Sequence, residues 1–142
     1  MRLHRVLMTG LLAGSVLAIG CGGPVNVEGK VVMGGKPLTG AQILFVPVAG
    51  GLEAGDVTDE EGKFQVKNPQ KLGVVPGEYR VTVSKKDYPP GMKRPGPHEM
   101  TMALTAKMKE TLPARYTAQD KTPLRVTVPR GGTKDVTLEI EQ

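Results

Sequence analysis

The chain has 142 residues, of which 19 are Lys or Arg and 14 are Asp or Glu, so its formal net charge is +5. Its single cysteine excludes an internal disulfide, and with no tryptophan and two phenylalanines its core must be built mainly from Val, Leu and Ile. Nineteen glycines and twelve prolines favour short strands and turns over long helices. The length predicts one domain.

The start of the chain has the layout of a bacterial export signal. Arg2 and Arg5 precede residues 6–19, a run of apolar or small residues that carries no charge. This run is too short to span a bilayer. We therefore predict a signal peptide over residues 1–20.

The end of this run, LAIGC, resembles the lipobox of bacterial lipoproteins. It departs from the usual form because Ala18 stands where a large aliphatic residue is common. The resemblance implies cleavage between Gly20 and Cys21 and lipidation of Cys21. Two alternatives remain open. An ordinary signal peptidase also accepts small residues such as Ala18 and Gly20, which would leave Cys21 as a free terminal thiol, and an uncleaved anchor is the other possibility.

Removal of the signal peptide leaves 122 of the 142 residues and takes away two basic and no acidic side chains, so the net charge falls to +3. That modest charge argues against a nucleic-acid binder. Residues 21–24 form the lipidated cysteine and a short linker, which spans only about 10 to 14 Å before the first strand. The domain must then sit almost on its membrane. Gly22 is not the Asp that retains some lipoproteins at the inner membrane, which suggests the outer membrane by analogy.

Apolar and polar residues alternate along seven segments, which is the pattern of half-buried strands. The segments are VNVEGKVVM, AQILFVPV, residues 52–57, KFQVK, EYRVTVS, LRVTV and DVTLEI. The residues predicted to face inward are Val25, Val27, Val31, Met33, Ala41, Ile43, Phe45, Phe64, Val66, Tyr79, Val81, Val83, Leu124, Val126, Val128, Val136, Leu138 and Ile140. These segments predict an all-β domain over residues 25–142 with two antiparallel sheets packed face to face.

Two connections have recognisable turn chemistry. RGGT at residues 130–133 predicts a hairpin between the last two strands. In PGEY, Tyr79 follows Gly77 by two residues as the chain enters a strand, which predicts a tyrosine corner whose hydroxyl bonds to upstream backbone. The alternative is that Tyr79 is an ordinary core residue.

Four stretches of sequence, taken in order, connect the chain with a known family. They are GKVVMGGKPLTGAQILFVPV, VTDEEGKFQV, GVVPGEYRVTV and LPARYTAQDKTPLRVTV. They resemble the small carboxypeptidase regulatory-like (transthyretin-like, prealbumin-like) lipoproteins of planctomycete-type bacteria, and the resemblance extends over nearly all of residues 25–140. The resemblance implies a seven-stranded antiparallel Greek-key β-sandwich behind a lipoprotein signal. It implies no particular activity, because most members lack an assigned one.

We predict no enzymatic activity, no cofactor and no metal. His98 is the only histidine after residue 20, so no pair of Cys or His has metal-ligand spacing. Ser84 lies in no G-x-S-x-G motif. Transthyretin-related hydroxyisourate hydrolases share the general sandwich but end in Tyr-Arg-Gly-Ser, whereas this chain ends in LEIEQ.

The acidic stretch DVTDEEG raises the question of a calcium site, because calcium prefers carboxylate oxygens. Its carboxylates, Asp56, Asp59, Glu60 and Glu61, do not have EF-hand spacing. We expect instead that Asp59 caps a turn in which Gly62 has a positive φ.

Residues 85–115 are the least strand-like part of the chain and predict a long irregular loop insertion, with a short helix near residues 102–111. This stretch is also the most basic one. Its basic residues are Lys85, Lys86, Lys93, Arg94, Lys107, Lys109 and Arg115. One hypothesis is that they dock on an anionic surface, either lipid headgroups or an acidic envelope polymer; the other is that the loop is simply solvated.

Other ligands have weaker support in this stretch. It holds the methionines Met92, Met100, Met102 and Met108, which could bind a soft metal such as copper or could serve as flexible packing. Tyr88 and Tyr116 are the tyrosines outside the predicted strands, so few aromatic rings are available to stack against a glycan.

The sequence thus predicts a non-enzymatic structural or protein-interaction module of the cell envelope. We expect it to be exported and lipid-anchored to the cell membrane or outer membrane, facing the periplasm or the cell surface. The alternative is an envelope binding protein for a small ligand, metal or anionic polymer that uses residues 85–115. A concave pocket beneath that loop would favour the alternative.

Overall fold

The computed structural model describes residues 23–67, 70, 73–93, 95–96 and 98–142. The predicted signal peptide, its cleavage site at Gly20, and Cys21 lie outside the described residues, as does Arg94. In the part of the chain that the structure describes, neither helix has the length and apolar character needed to span a membrane.

The described chain is mainly β-strand with two short helices. The strands are β1 Val27–Met33, β2 Lys36–Pro37, β3 Gln42–Pro47, β4 Ala54–Val57, β5 Lys63–Val66, β6 Gly77–Ser84, β7 Lys86–Asp87, β8 Lys109–Glu110, β9 Arg125–Val128 and β10 Thr133–Ile140. The helices are α1 Met102–Lys107 and α2 Ala114–Thr117. Each of the seven predicted segments overlaps one of the longer strands, so the all-β prediction is confirmed.

The strands form two main sheets and a small ribbon. In the first sheet, β1 is central, with β10 parallel to it on one side and β5 and β2 antiparallel on the other. The second sheet is antiparallel throughout, in the order β4-β3-β6-β9. Strands β7 and β8 form the ribbon.

Two predictions about strand pairing are wrong in the first sheet. It is mixed rather than antiparallel, because β10 runs parallel to β1. Residues 130–133 do not form a hairpin, since β9 pairs with β6 in one sheet and β10 with β1 in the other. The Thr133 N–H donates to the Asn26 carbonyl at 3.0 Å, which directs the chain onto β1. Alternation indicates which face of a strand is buried but not which strand lies beside it.

The buried faces of the two main sheets share one hydrophobic core. The predicted inward residues are buried or packed against this core, so the alternation of the strands is confirmed. Phe45 of β3 is fully buried and lies between two aromatic rings. Its ring centroid is 6.2 Å from that of Phe64 on β5 and 5.8 Å from that of Tyr79 on β6, and both pairs are tilted. The contact of Phe45 with Phe64 joins the two sheets, and that with Tyr79 links neighbouring strands of the second sheet, both in geometries that aromatic pairs favour.

The two ends of the domain carry different parts of the chain. The proximal end, where β1 begins, is formed by residues 23–26, 47–53, 73–77 and 129–132. The distal end, where β1 finishes, is formed by residues 34–40, 58–62, 84–87 and 108–112. β6 runs from the proximal to the distal end, a rise of about 23 Å at roughly 3.3 Å per residue.

A close approach at Gly29 provides a test of the first sheet. The pairing of β1 with β10 shifts register between Val27 and Gly29. A Cβ on Gly29 would lie 2.2 Å from the Val136 carbonyl oxygen and 2.8 Å from the Phe64 Cζ. We therefore expect Gly29→Ala to lower the free energy of unfolding by about 1–3 kcal/mol, measured by urea denaturation.

The matched control for this substitution is Gly131→Ala. A Cβ at Gly131 would meet nothing within 4 Å. Its unfolding midpoint should stay close to that of the unchanged protein. Equal midpoints for both variants would contradict the close packing of β10 on β1.

Candidate functional sites at the two ends of the domain

Residues 85–115 are more regular than the sequence predicts. β7 and β8 pair with Lys86 opposite Glu110 and Asp87 opposite Lys109. The predicted helix is present as α1 but ends at Lys107, and its N-terminus is capped by the Thr101 hydroxyl, which accepts the Leu104 N–H at 3.2 Å. The prediction of a long irregular loop is therefore wrong in part, because two-residue strands separated by more than twenty residues leave no alternation to detect.

Glu110 fastens this segment to the end of β6. Its carboxylate accepts the Ser84 hydroxyl at 2.5 Å and the Lys85 N–H at 2.9 Å. It also accepts the N–H groups of Thr111 and Leu112, each at 3.1 Å. One half-buried side chain thus holds both strands of the ribbon and the chain that follows. Nothing in the local sequence indicates this role of Glu110, because Ser84 and Lys85 precede it by 26 and 25 residues.

The hydrogen bonds determine the ionisation of Glu110. Partial burial acts to raise the pKa of this carboxyl and is the largest single influence. Donation by Ser84, Leu112, Lys85 and Thr111 favours the charged form, and together these bonds lower the pKa below its ordinary value of 4.5. The carboxylate is therefore charged at neutral pH, where its hydrogen bonds are strongest.

Among the basic residues that the structure describes in residues 85–115, Arg115 is the one held in place by its neighbours. Its guanidinium donates to the Glu141 carbonyl at 3.2 Å, lies 3.8 Å from the Glu141 carboxylate, and sits 5.0 Å from the centre of the Tyr116 ring. The others in the described residues form no ion pair: they are Lys85, Lys86, Lys93, Lys107 and Lys109. Lys85 is half-buried and the other four are exposed.

The methionines and tyrosines of the segment are dispersed. Met100 and Met102 line an open depression of about 450 Å³ beside Lys86, and Met102 is 92% exposed. Met92 and Met108 do not line it. Tyr116 is buried in the core and its hydroxyl accepts the Glu141 N–H at 3.0 Å, so it offers no platform for a glycan. The structure does not bring the four methionines together.

The acidic turn has the predicted geometry. The Asp59 carboxylate accepts the N–H groups of Glu61 and Lys63, each at 2.9 Å, and Gly62 has a φ of 71°. The prediction of an Asp-capped turn is confirmed. Among the described residues, no group of three or more His, Cys, Asp or Glu side chains is placed to hold a metal ion.

At the proximal end, the tyrosine corner is confirmed. The Tyr79 hydroxyl donates to the Val75 carbonyl at 2.6 Å, while its ring packs in the core against Phe45. Burial raises the pKa of Tyr79, and the hydrogen bond to Val75 opposes this only in part. The bond thus holds the loop before β6 against the core.

An apolar cleft of about 300 Å³ lies at the proximal end between the loops after β3 and before β6. Pro24, Leu52, Val75 and Tyr79 are among its lining residues, and Glu78 is the charged residue among those described along it. Leu52 and Val75 are each 58% exposed. The sequence gives no signal for this surface, because the surface is assembled from loops that are distant in sequence and have no strand alternation.

The ionisation of Glu110 gives a pH-dependent prediction. Because its pKa is lowered by folding, the carboxylate contributes stability above the unfolded pKa, and this contribution is lost as the pH falls through the lower folded pKa. Glu110→Gln removes the charge with little change in shape. We expect it to lower the free energy of unfolding at pH 7 by about 1–3 kcal/mol. Below pH 4.5 the difference from the unchanged protein should shrink.

Urea denaturation at several pH values measures this effect, with the exposed Glu139→Gln as the control. A constant difference between Glu110→Gln and the unchanged protein from pH 7 to acid would contradict the assigned role of the charge.

Comparisons of the chain with protein-family models, with curated proteins and with solved structures find no match.

Proposed function

We propose that the chain is a non-enzymatic, lipid-anchored β-sandwich module of the cell envelope that presents its distal end for interactions. The observation that carries this proposal is the separation of the two ends. Pro24, three residues after Cys21, lies at the proximal end, and residues 84–87 lie at the distal end, about 23 Å away along β6. An anchor at Cys21 therefore directs the ribbon away from the membrane.

This geometry favours an acidic envelope polymer or protein over lipid headgroups as the anionic surface for residues 85–115. Headgroups of the anchoring membrane face the proximal end, so the lysines of the ribbon are on the wrong side of the domain to reach them. A partner in the envelope space, either a protein or an acidic polymer, can reach them directly. We therefore propose such a partner for the distal end.

We also propose that the fold is a seven-stranded Greek-key sandwich of the carboxypeptidase regulatory-like type. Supporting it are the seven strands of four or more residues in the described chain and the core shared by the two main sheets. The tyrosine corner at Tyr79 is a further feature of such sandwiches. The parallel pairing of β1 with β10 is a variation within this proposal.

The proposal of a non-enzymatic role rests on the surroundings of Ser84 and His98. The Ser84 hydroxyl donates to Glu110, which uses its other oxygen to hold backbone N–H groups. A serine nucleophile instead needs a base that accepts its proton and is itself oriented by a third group. His98 is exposed and lies 14 residues after Ser84 in the chain.

Lipidation of Cys21 is the first test of the proposal. We expect the protein extracted from membranes to begin at Cys21 and to carry the added mass of acyl chains. It should enter the detergent phase in detergent partitioning, because two or three acyl chains give stable membrane attachment. The conservative variant Ala18→Leu, which restores the usual aliphatic residue, should be processed in the same way.

Two results of the mass measurement would contradict lipidation. An unmodified terminal thiol in an aqueous fraction would show ordinary secretion. Retention of residues 1–20 would show an uncleaved anchor. The matched variant Cys21→Ser should lose the added mass and the processing by the lipoprotein pathway.

Binding of an acidic polymer is a second candidate function for the same module. The specific observation that favours it is the group of exposed lysines without ion pairs in the described residues: Lys86, Lys93, Lys107 and Lys109. Lys86 and Lys109 lie on the ribbon and Lys107 ends α1 just before it, and exposed lysines attract polyanions through charges that salt screens. The open depression beside Lys86 gives weaker support to a small ligand, which would need a more enclosed pocket.

Charge reversal at the distal end tests this function. The triple variant Lys86→Glu, Lys107→Glu and Lys109→Glu should lose binding to immobilised dextran sulfate at low salt, and the unchanged protein should be released by added salt.

The control reverses the same number of charges elsewhere, at the exposed residues Lys30, Lys67 and Lys134. Equal loss of binding in both triple variants would show an effect of net charge alone. Unchanged binding in the distal variant would contradict a polymer site there.

A further inference from the structure

The apolar surface of the proximal end has no partner in the described structure. We define the proximal apolar surface as Val48, Leu52 and Val75 together with the cleft between their loops. Val48 is 44% exposed, and Leu52 and Val75 are each 58% exposed. Scattered apolar side chains are common on protein surfaces, but three beside one apolar cleft form a patch that needs an explanation.

The position of this surface relative to the chain indicates what covers it. Pro24 lines the cleft, and Val25 is fixed beside it by paired backbone hydrogen bonds with Val74, each of 2.8 Å. Two residues separate Pro24 from Cys21. A lipid attached to Cys21 would therefore enter its bilayer within about 11 Å of the cleft, given at most roughly 3.6 Å per extended residue.

We propose that the proximal apolar surface rests in the interfacial layer of the phospholipid bilayer that holds the Cys21 lipid. This inference depends on the proposed lipid anchor and adds an orientation to it. Leu52 and Val75 contact the region where headgroups meet acyl chains, and the domain stands on the membrane with β6 directed away from it. Apolar side chains at this depth bind by the area that they bury.

The charges around the surface have both signs, because the exposed Arg130 lies at the proximal end together with two carboxylates. Glu78 lies along the cleft and Glu53 precedes β4 beside it. Glu78 is 4.0 Å from Arg125, and Glu53 accepts a hydrogen bond from Gln119 at 3.2 Å. Because charges of both signs lie beside the surface and Glu78 is paired with Arg125, apolar contact rather than charge attraction holds the surface on the membrane. Added salt should therefore leave the contact unchanged, in contrast to binding at the distal lysines.

The loops that carry this surface are held before any contact with lipid. The Val48 N–H donates to the Glu78 carbonyl at 3.0 Å, and the Tyr79 hydroxyl holds the Val75 carbonyl at 2.6 Å. A surface that is already ordered pays little conformational entropy when it binds. The tyrosine corner thus places Val75 at the membrane while its ring remains in the core.

The test uses single tryptophans, since the chain has none of its own. Leu52→Trp and Val75→Trp place the fluorophore on the proximal apolar surface. Val57→Trp is the matched control, because Val57 is 55% exposed but lies at the opposite end of β4, opposite Gln42. The full-length proteins, extracted from membranes, are reconstituted into phosphatidylcholine vesicles with bromine on the acyl chains near the headgroups.

We expect the tryptophans at residues 52 and 75 to show blue-shifted emission and strong quenching by the brominated lipid, at low and at high salt alike. The control at residue 57 should emit as in water and remain unquenched. Urea denaturation shows whether each variant folds. Because residues 52 and 75 are tested separately, the test still gives a result if one of the two variants does not fold.

Other results would overturn the inference in distinguishable ways. Vesicle-bound protein without quenching at residues 52 and 75 leaves the anchor intact but removes the contact with lipid. A blue shift without quenching shows that protein, such as a second copy, covers the surface. Equal quenching at residue 57 shows a domain without the proposed orientation. Protein that does not float with the vesicles refutes the anchor itself and the inference with it.

Discussion

Tyr79 connects the core of this domain to the loop at its proximal end. Its ring packs against Phe45, which in turn contacts Phe64 of the other sheet, and its hydroxyl holds the Val75 carbonyl. A core without tryptophan or disulfides has few large side chains with which to join two sheets. The three aromatic residues make this connection, and Tyr79 also ties it to the loop before β6.

The two ends of β6 are fastened by different chemistry. At Gly77 the chain is held by backbone pairing and the tyrosine corner, and its neighbours are apolar. At Ser84 it is held by the charged Glu110, and its neighbours are lysines. The domain has an apolar surface at the end that holds residues 23–26 and exposed lysines without ion pairs, beside the acidic turn at Asp59, at the other end. The proposed roles of anchor and interaction surface follow from that polarity.

Much of this fold could be predicted from the sequence because apolar and polar residues alternate along most of its strands, although β6 also buries Thr82 between Val81 and Val83. Ile43, Phe45, Val81 and Val83 are buried as their positions predicted, and local chemistry was enough to predict the Asp59 turn. The pairing of β10 with β1 could not be predicted, because alternation carries no information on neighbours. The role of Glu110 and the proximal apolar surface were missed for a related reason: both depend on loops that only the folded chain brings together.

The orientation of the lipid-anchored domain is the claim on which the account rests. Val75→Cys and Lys86→Cys each add one thiol to a chain whose native cysteine is occupied by lipid in this account. Energy transfer from a dye on each thiol to acceptor lipids in the vesicle surface measures the height of the two ends above the bilayer. The account predicts a dye at residue 75 in contact with the membrane and a dye at residue 86 about 20 Å or more above it. Equal heights, or the reverse order, would contradict it.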